Sequence, residues 1–91
     1  MEKLPKFPEE GLLAEKLKSL PALFAYEKLF IGAQIKKARI KSGMKQAELA
    51  KKLATTQSAV ARIETGKQNL TLFTLIAITH HLGRRLAIKF Q

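Results

Sequence analysis

Between Gln46 and Ile63 the chain reads QAELAKKLATTQSAVARI, and its apolar positions fall into two short sets at helical spacing. Ala47, Leu49, Ala50 and Leu53 make the first set, and Ala59, Val60 and Ile63 the second. Apolar residues three and four apart share one helix face, so each set predicts a short helix with one side to bury. Ala54-Thr55-Thr56 lies between them. Either threonine can cap the second helix, because its hydroxyl accepts from a backbone N–H that the first turn leaves unpaired. The pattern is two helices and a tight turn.

The flanks supply more helices. Ile31 to Ser42 has Ile35, Ala38 and Ile40 as inward candidates and Lys36, Lys37 and Lys41 outward, with Gly43 placed to end the helix in the left-handed conformation. From Thr71 to Leu82, the residues Leu72, Leu75, Ile76, Ile78 and Leu82 predict a helix that closes the core, terminated by Gly83. Upstream, Leu12, Leu13, Leu17 and Leu20 give Glu9 to Leu20 an amphipathic face. Pro21 can open a further helix carrying Leu23, Phe24, Tyr26, Leu29, Phe30 and Ile31. Pro5 and Pro8 make residues 1–8 extended or mobile.

At the other end Leu86, Ile88 and Phe90 alternate with Arg85, Ala87 and Lys89, the period of a half-buried strand. A lone strand needs a partner. Pairing with the same strand of a second copy about a two-fold axis is the favoured arrangement, ahead of a strand from the N-terminal region or the sheet edge of another protein. The chain thus divides into a helical extension over 1–30, a central helical domain over 31–83 and a terminal strand over 84–91.

The outward face of the second short helix carries Gln57, Ser58, Ala61 and Arg62. A face turned only to water would be richer in Lys and Glu. Amide and guanidinium groups bond bidentately to adenine and guanine edges, and a threonine or alanine methyl can touch the methyl of thymine. Thr56, Gln57, Ser58 and Arg62 are therefore the candidates for base-edge contact. Charge supports a polyanionic partner: of a net +10, residues 1–30 contribute nothing, with five Lys against five Glu, whereas residues 31–91 hold twelve Lys and Arg against Glu48 and Glu64 alone. Lysines and arginines that neutralise phosphates release condensed counterions and so supply affinity.

Other classes fit poorly. No apolar run approaches the roughly 20 residues that cross a bilayer, and the first residues lack the basic-then-apolar layout of a leader. With no cysteine in the chain, a cytoplasmic location is expected and membrane binding is not. There is no nucleophile-base-acid arrangement, no glycine-rich phosphate loop and no metal-ligand cluster, so an enzyme, a cofactor and a metal are not expected. His80 and His81 are adjacent and do not share a helix face.

Arg39, Gly43, Gln46, Ala50, Thr55-Thr56-Gln57, Ile63-Glu64 and Gly66-Lys67 stand in an order and spacing that resembles the phage-repressor and Cro-like helix-turn-helix family, the XRE family, from about Ile31 to Gly83. The resemblance implies an all-α, five-helix phage-repressor-like domain, here with the added N-terminal helical segment and the C-terminal strand. It implies that Arg39 pairs with Glu64 to orient the reading helix. It implies that Gln46 bonds a DNA phosphate, and that Gly66 and Lys67 approach the sugar-phosphate chain, with Lys45 and Asn69 completing the backbone set. Ala54 stands where the family commonly has glycine; with positive φ it costs on the order of 1 kcal/mol.

The leading segment is similar to what precedes the reader in HigA-type bacterial antitoxins. That implies a homodimer on double-stranded operator DNA that also binds and silences a small RelE/HigB-like, mRNA-cleaving toxin and represses the shared operon. The alternatives are a stand-alone phage-type repressor without a toxin, and a protein-interaction module whose DNA binding is incidental.

Overall fold

The computed structural model describes the backbone of residues 10–90 and the side chains from residue 19 to residue 90. The expectations for residues 1–8 and for the side chains of Leu12, Leu13 and Leu17 lie outside the described residues. Four helices follow one another: α1 over Glu10–Lys41, α2 over Gln46–Lys52, α3 over Gln57–Glu64 and α4 over Leu72–His81.

The architecture is all-α, with α2 and α3 forming a helix-turn-helix, but two expected features are corrected. The five-helix count fails because the helices expected over 9–20, from Pro21 onward and over 31–42 are one helix, α1, which runs through Pro21 and across Phe30-Ile31 without a break. Proline has a helical φ of its own and costs one backbone bond and some crowding. Around it Leu20, Ala22 and Leu23 offer no turn chemistry with which to leave the helix.

The C-terminal strand is also absent: no strand occurs among the described residues, and 84–90 is irregular. The alternation of Leu86, Ile88 and Phe90 is real in sequence, but only Leu86 is half-buried, and Phe90 is 94 % exposed. A strand is held by its ladder, and a chain whose other described elements are helices has no edge to offer it.

The core is small and shared by all four helices. Ile35 of α1, Leu49 and Ala50 of α2, Val60 and Ile63 of α3, and Ile78 and Leu82 at the end of α4 form one buried cluster. Fully burying a side chain such as Leu49, Val60 or Ile78 is worth about 1.5–3 kcal/mol. Four expected inward positions face outward instead: Ile40, Ala47, Leu72 and Ile76 are exposed. Their periodicity marks them as apolar without naming a neighbour to cover them.

Each helix ends in the same way. After α1, Gly43 N–H donates to the Ile40 carbonyl at 2.9 Å and Met44 N–H to the Arg39 carbonyl at 3.2 Å, the paired bonds of a Schellman cap. The same pair closes α2 through Ala54 and Thr55, at 3.1 and 2.9 Å. Gly43, Gly66 and Gly83 hold the left-handed position elsewhere, so Ala54, with φ 54°, is the one non-glycine residue there among the described residues. Its Cβ is a standing local cost, offset by the two bonds it completes.

Candidate nucleic-acid interface

The turn between α2 and α3 sets the reading helix. Thr56 is extended, and its hydroxyl oxygen accepts from Ala59 N–H at 3.1 Å. That bond satisfies a first-turn donor and leaves the hydroxyl hydrogen free to donate outward. From this start α3 turns Ala59, Val60, Ile63 and Glu64 inward, while Gln57, Ser58 and Arg62 are exposed and Ala61 is half-buried. The exposed side chains are hydrogen-bonding groups with one positive charge and no negative one.

Behind α3 lies a polar clamp. Arg39 and Glu64 are 8 % and 5 % exposed, the buried charged groups among the described residues. Arg39 Nε donates to Glu64 Oε2 at 2.6 Å and Nη2 to Oε1 at 3.1 Å, a bidentate pair between α1 and α3. Arg39 Nη1 donates to the Met44 carbonyl at 2.8 Å and ties in the α1–α2 turn. The hydrogen bond to Glu64, opposed by burial and aided by the carboxylate charge, raises the Arg39 pKa above the ordinary arginine value. A raised arginine pKa gives stabilisation that is fully present below the ordinary arginine range and lost only above it, so Arg39 stays charged across the neutral range.

The clamp continues to the surface. Gln46 Nε2 donates to Glu64 Oε1 at 3.1 Å, and Gln57 Nε2 reaches Gln46 Oε1 at 3.5 Å. A buried ion pair on α1 and α3 is thereby connected, through α2, to an exposed amide at the start of the reading helix. Gln46 is half-buried and committed to this chain of bonds. Lys45 precedes α2, where its N–H donates to the Glu48 carboxylate at 3.3 Å, and its own side chain is exposed.

Past α3, Arg62 Nε donates to Gln68 Oε1 at 3.3 Å, which leaves both Nη groups available. Asn69 Oδ1 accepts from Lys28 Nζ at 3.3 Å, and Lys67 is exposed between them. Lys45, Gln46, Thr56, Gln57, Ser58, Arg62, Lys67 and Asn69 thus lie on α2 and α3, at the residues that cap them, and on the loop after α3. Leu86, Ile88 and Phe90 lie on the irregular tail and do not join them.

Three contributors are not singled out by sequence reasoning. Gln68 orients Arg62, and nothing in its local pattern signals it. Lys28 is a lone cation in the apolar run LPALFAYEKLF, a usable signal. Gly32 is the third: it is buried, and a Cβ there would stand 2.5 Å from the Ile63 carbonyl oxygen and 2.7 Å from that of Glu64. A glycine inside a helix is the available signal for such a close approach. Gly66 meets the same face of α1 one turn earlier, where a Cβ would stand 2.9 Å from the backbone of Leu29. No group of three or more His, Cys, Asp or Glu that could hold a metal occurs among the described residues, and no helix there is long and apolar enough to cross a membrane.

Solved structures share this fold. The structure is similar to the clp gene regulator ClgR from Corynebacterium glutamicum, with TM-score 0.63 and 22 % identity over 65 % of this chain and 76 % of that one. It is similar to the restriction-modification controller protein C.AhdI from Aeromonas hydrophila, with TM-score 0.64 and 21 % identity over 67 % of this chain and 88 % of that one. At these identities the likeness is one of fold. The model of the helix-turn-helix family HTH_3 matches residues 35–88, more than half of the chain and the whole of the clamp and reading helix. By that match, which takes in the exposed polar face of α3, the chain belongs to the HTH_3 family of XRE-type helix-turn-helix domains.

Proposed function

We propose that the protein is a sequence-specific repressor that binds double-stranded operator DNA as a homodimer. The observation that carries this reading is the α3 face: Gln57, Ser58 and Arg62 exposed together on a helix whose opposite side is fixed by the Arg39–Glu64 clamp. α3 enters the major groove. Gln57 addresses an adenine edge, Arg62 a guanine through its free Nη groups, and Ser58 and the Thr56 hydroxyl complete the base contacts. Lys45, Lys67 and Asn69, with the spare amide hydrogen of Gln46, hold the phosphate chain and fix register. Two copies present two reading helices to half-sites about one helical turn, or about 34 Å, apart. Occupancy of the operator blocks transcription.

The test is selection of sites from a random duplex pool, then titration of the selected site. A pseudo-palindromic consensus that binds far more tightly than unrelated DNA supports the reading. Enrichment of no consensus, with uniformly weak and salt-sensitive binding, sinks it.

A finer role is the antitoxin one, in which the chain also silences a RelE/HigB-like toxin. Its support is the resemblance of the leading segment, together with a second exposed apolar area on α4: Leu72, Phe73 and Ile76 could receive a partner without covering Gln57 or Arg62. Growth rescue on co-expression with the neighbouring gene product tests it. Q57A/R62A should still rescue. Failure of the wild-type chain to rescue, or the absence of a growth-arresting neighbour, removes this role and leaves the stand-alone repressor.

A further inference from the structure

The N-terminal half of α1 has no counterpart in the core. Leu20, Leu23, Phe24, Tyr26, Leu29 and Phe30 are each between 47 and 62 % exposed. Every residue from Ser19 to Glu27 is exposed, yet within this stretch only Ser19 and Glu27 are polar or charged besides the tyrosine hydroxyl. A helix that is apolar around most of its circumference belongs in an interior. Its rings are already ordered: Tyr26 and Phe30 stack with centroids 6.5 Å apart, and Lys28 Nζ lies 4.8 Å above the Phe24 ring.

We propose that residues 20–30 of α1 are the homodimer interface, each copy covering the same face of a second copy. Two observations select a second copy over other occupants. The first is charge. Two chains of net +10 repel one another, and residues 31–91 carry twelve cations against two acids, whereas residues 1–30 balance five against five. The stretch from Leu20 to Glu27 carries no cation, so a second copy meets least like charge there; beyond it, Phe30 opens on a groove lined by Lys37, Lys41, Arg84, Arg85 and Lys89. On α4, the exposed Ile76 lines a pocket together with Arg84 and Arg85. The second is area. Six large side chains at about half exposure offer on the order of 500 Å² per copy, or about 1,000 Å² in a symmetric pair, the lower bound of a specific interface. The same helix continues toward Glu10 through Leu17, Leu13 and Leu12, which extend the sequence pattern beyond that estimate.

This interface gives the proposed repressor its two-fold axis, and so rests on that reading for its purpose but not for its test. Because α1 carries Arg39 in its last turn and meets the end of α3 at Gly32, the helix that joins the two copies is the one that anchors each reading helix.

The experiment is the mass of the full chain in solution without DNA, by sedimentation at micromolar concentration, for wild type, L23E/F24E, F73E and Q57A/R62A. The expected result is twice the chain mass for wild type, F73E and Q57A/R62A, and the mass of one chain for L23E/F24E. The melting of the L23E/F24E variant should stay cooperative, because Leu23 and Phe24 lie outside the buried cluster. A monomeric wild type overturns the proposal. So does a dimer that survives L23E/F24E, a dimer lost in F73E alone, or a different protein found bound to this face in stoichiometric amount. A dimer that binds no selected operator would sink the repressor reading and leave the interface standing.

Discussion

The last third of α1 and its middle third place their apolar side chains in opposite circumstances. From Ile31 to Lys41 the helix buries Ile35, half-buries Ile31 and Ala38, and commits Arg39 to the clamp. From Leu20 to Phe30 it carries larger apolar side chains and buries none of them. Both stretches are helical and both carry large apolar side chains, isoleucines in the first and leucines and aromatic rings in the second. What separates them is company: the first shares the core with α2, α3 and α4, whereas among the described residues the second is met only at its end, where the loop after α3 reaches Leu29 and Lys28. Apolar burial belongs to a neighbourhood rather than to a segment.

The contrast can be broken most forcefully at the clamp. Replacing Arg39 or Glu64 by alanine leaves the other charge buried and unpaired, and the loss should be about 3–5 kcal/mol, read as a collapse of the denaturant midpoint. An equal disruption on the other half of α1 should cost the fold of a single chain little, so R39A and L23E/F24E should differ sharply in melting. Comparable melting for the two would erase the distinction.

Next comes Gly32, the hinge between the two regimes. A Cβ at that position meets backbone carbonyl oxygens that cannot turn aside, so G32A should destabilise by about 1–3 kcal/mol and disturb operator binding as well. Retained stability and affinity would show that α1 and α3 can part without consequence.

The reading face should behave in the opposite sense, with function lost and stability kept. Q57A and R62A should each weaken binding to the selected operator by about 1–3 kcal/mol, roughly 5- to 150-fold, while melting stays within about 0.5 kcal/mol. K67A should weaken all duplexes alike and lower the salt slope by about 1, as loss of one phosphate contact does. The smallest effect is a gain: A54G relieves the left-handed alanine and should stabilise by no more than about 1 kcal/mol, leaving affinity unchanged.

Much of the central module is legible in the residues. The helical spacing of Leu49, Ala50, Val60 and Ile63, the threonine cap and the left-handed glycines are local signals, and local signals suffice for short elements. Arg39 and Glu64 are legible only through family resemblance, since a separation of 25 residues names no pair by itself. Pro21 reads as a boundary because proline more often ends a helix than continues one, and the alternation at Leu86, Ile88 and Phe90 reads as a strand because period says nothing about whether a partner exists. Ile40, Leu72 and Ile76 read as core for a similar reason. Gln68 is invisible beforehand, because its role depends on where the chain returns after Gly66.

The most direct measurement is a fluorescence-anisotropy titration of the selected duplex, and of a scrambled one, with wild-type chain and with Q57A/R62A. The account predicts tight, discriminating binding by wild type, and for the double variant equal weak affinity for both duplexes with unchanged melting. Undiminished discrimination by a folded Q57A/R62A chain would contradict it, and would mean that the outward face of α3 is not what reads the DNA.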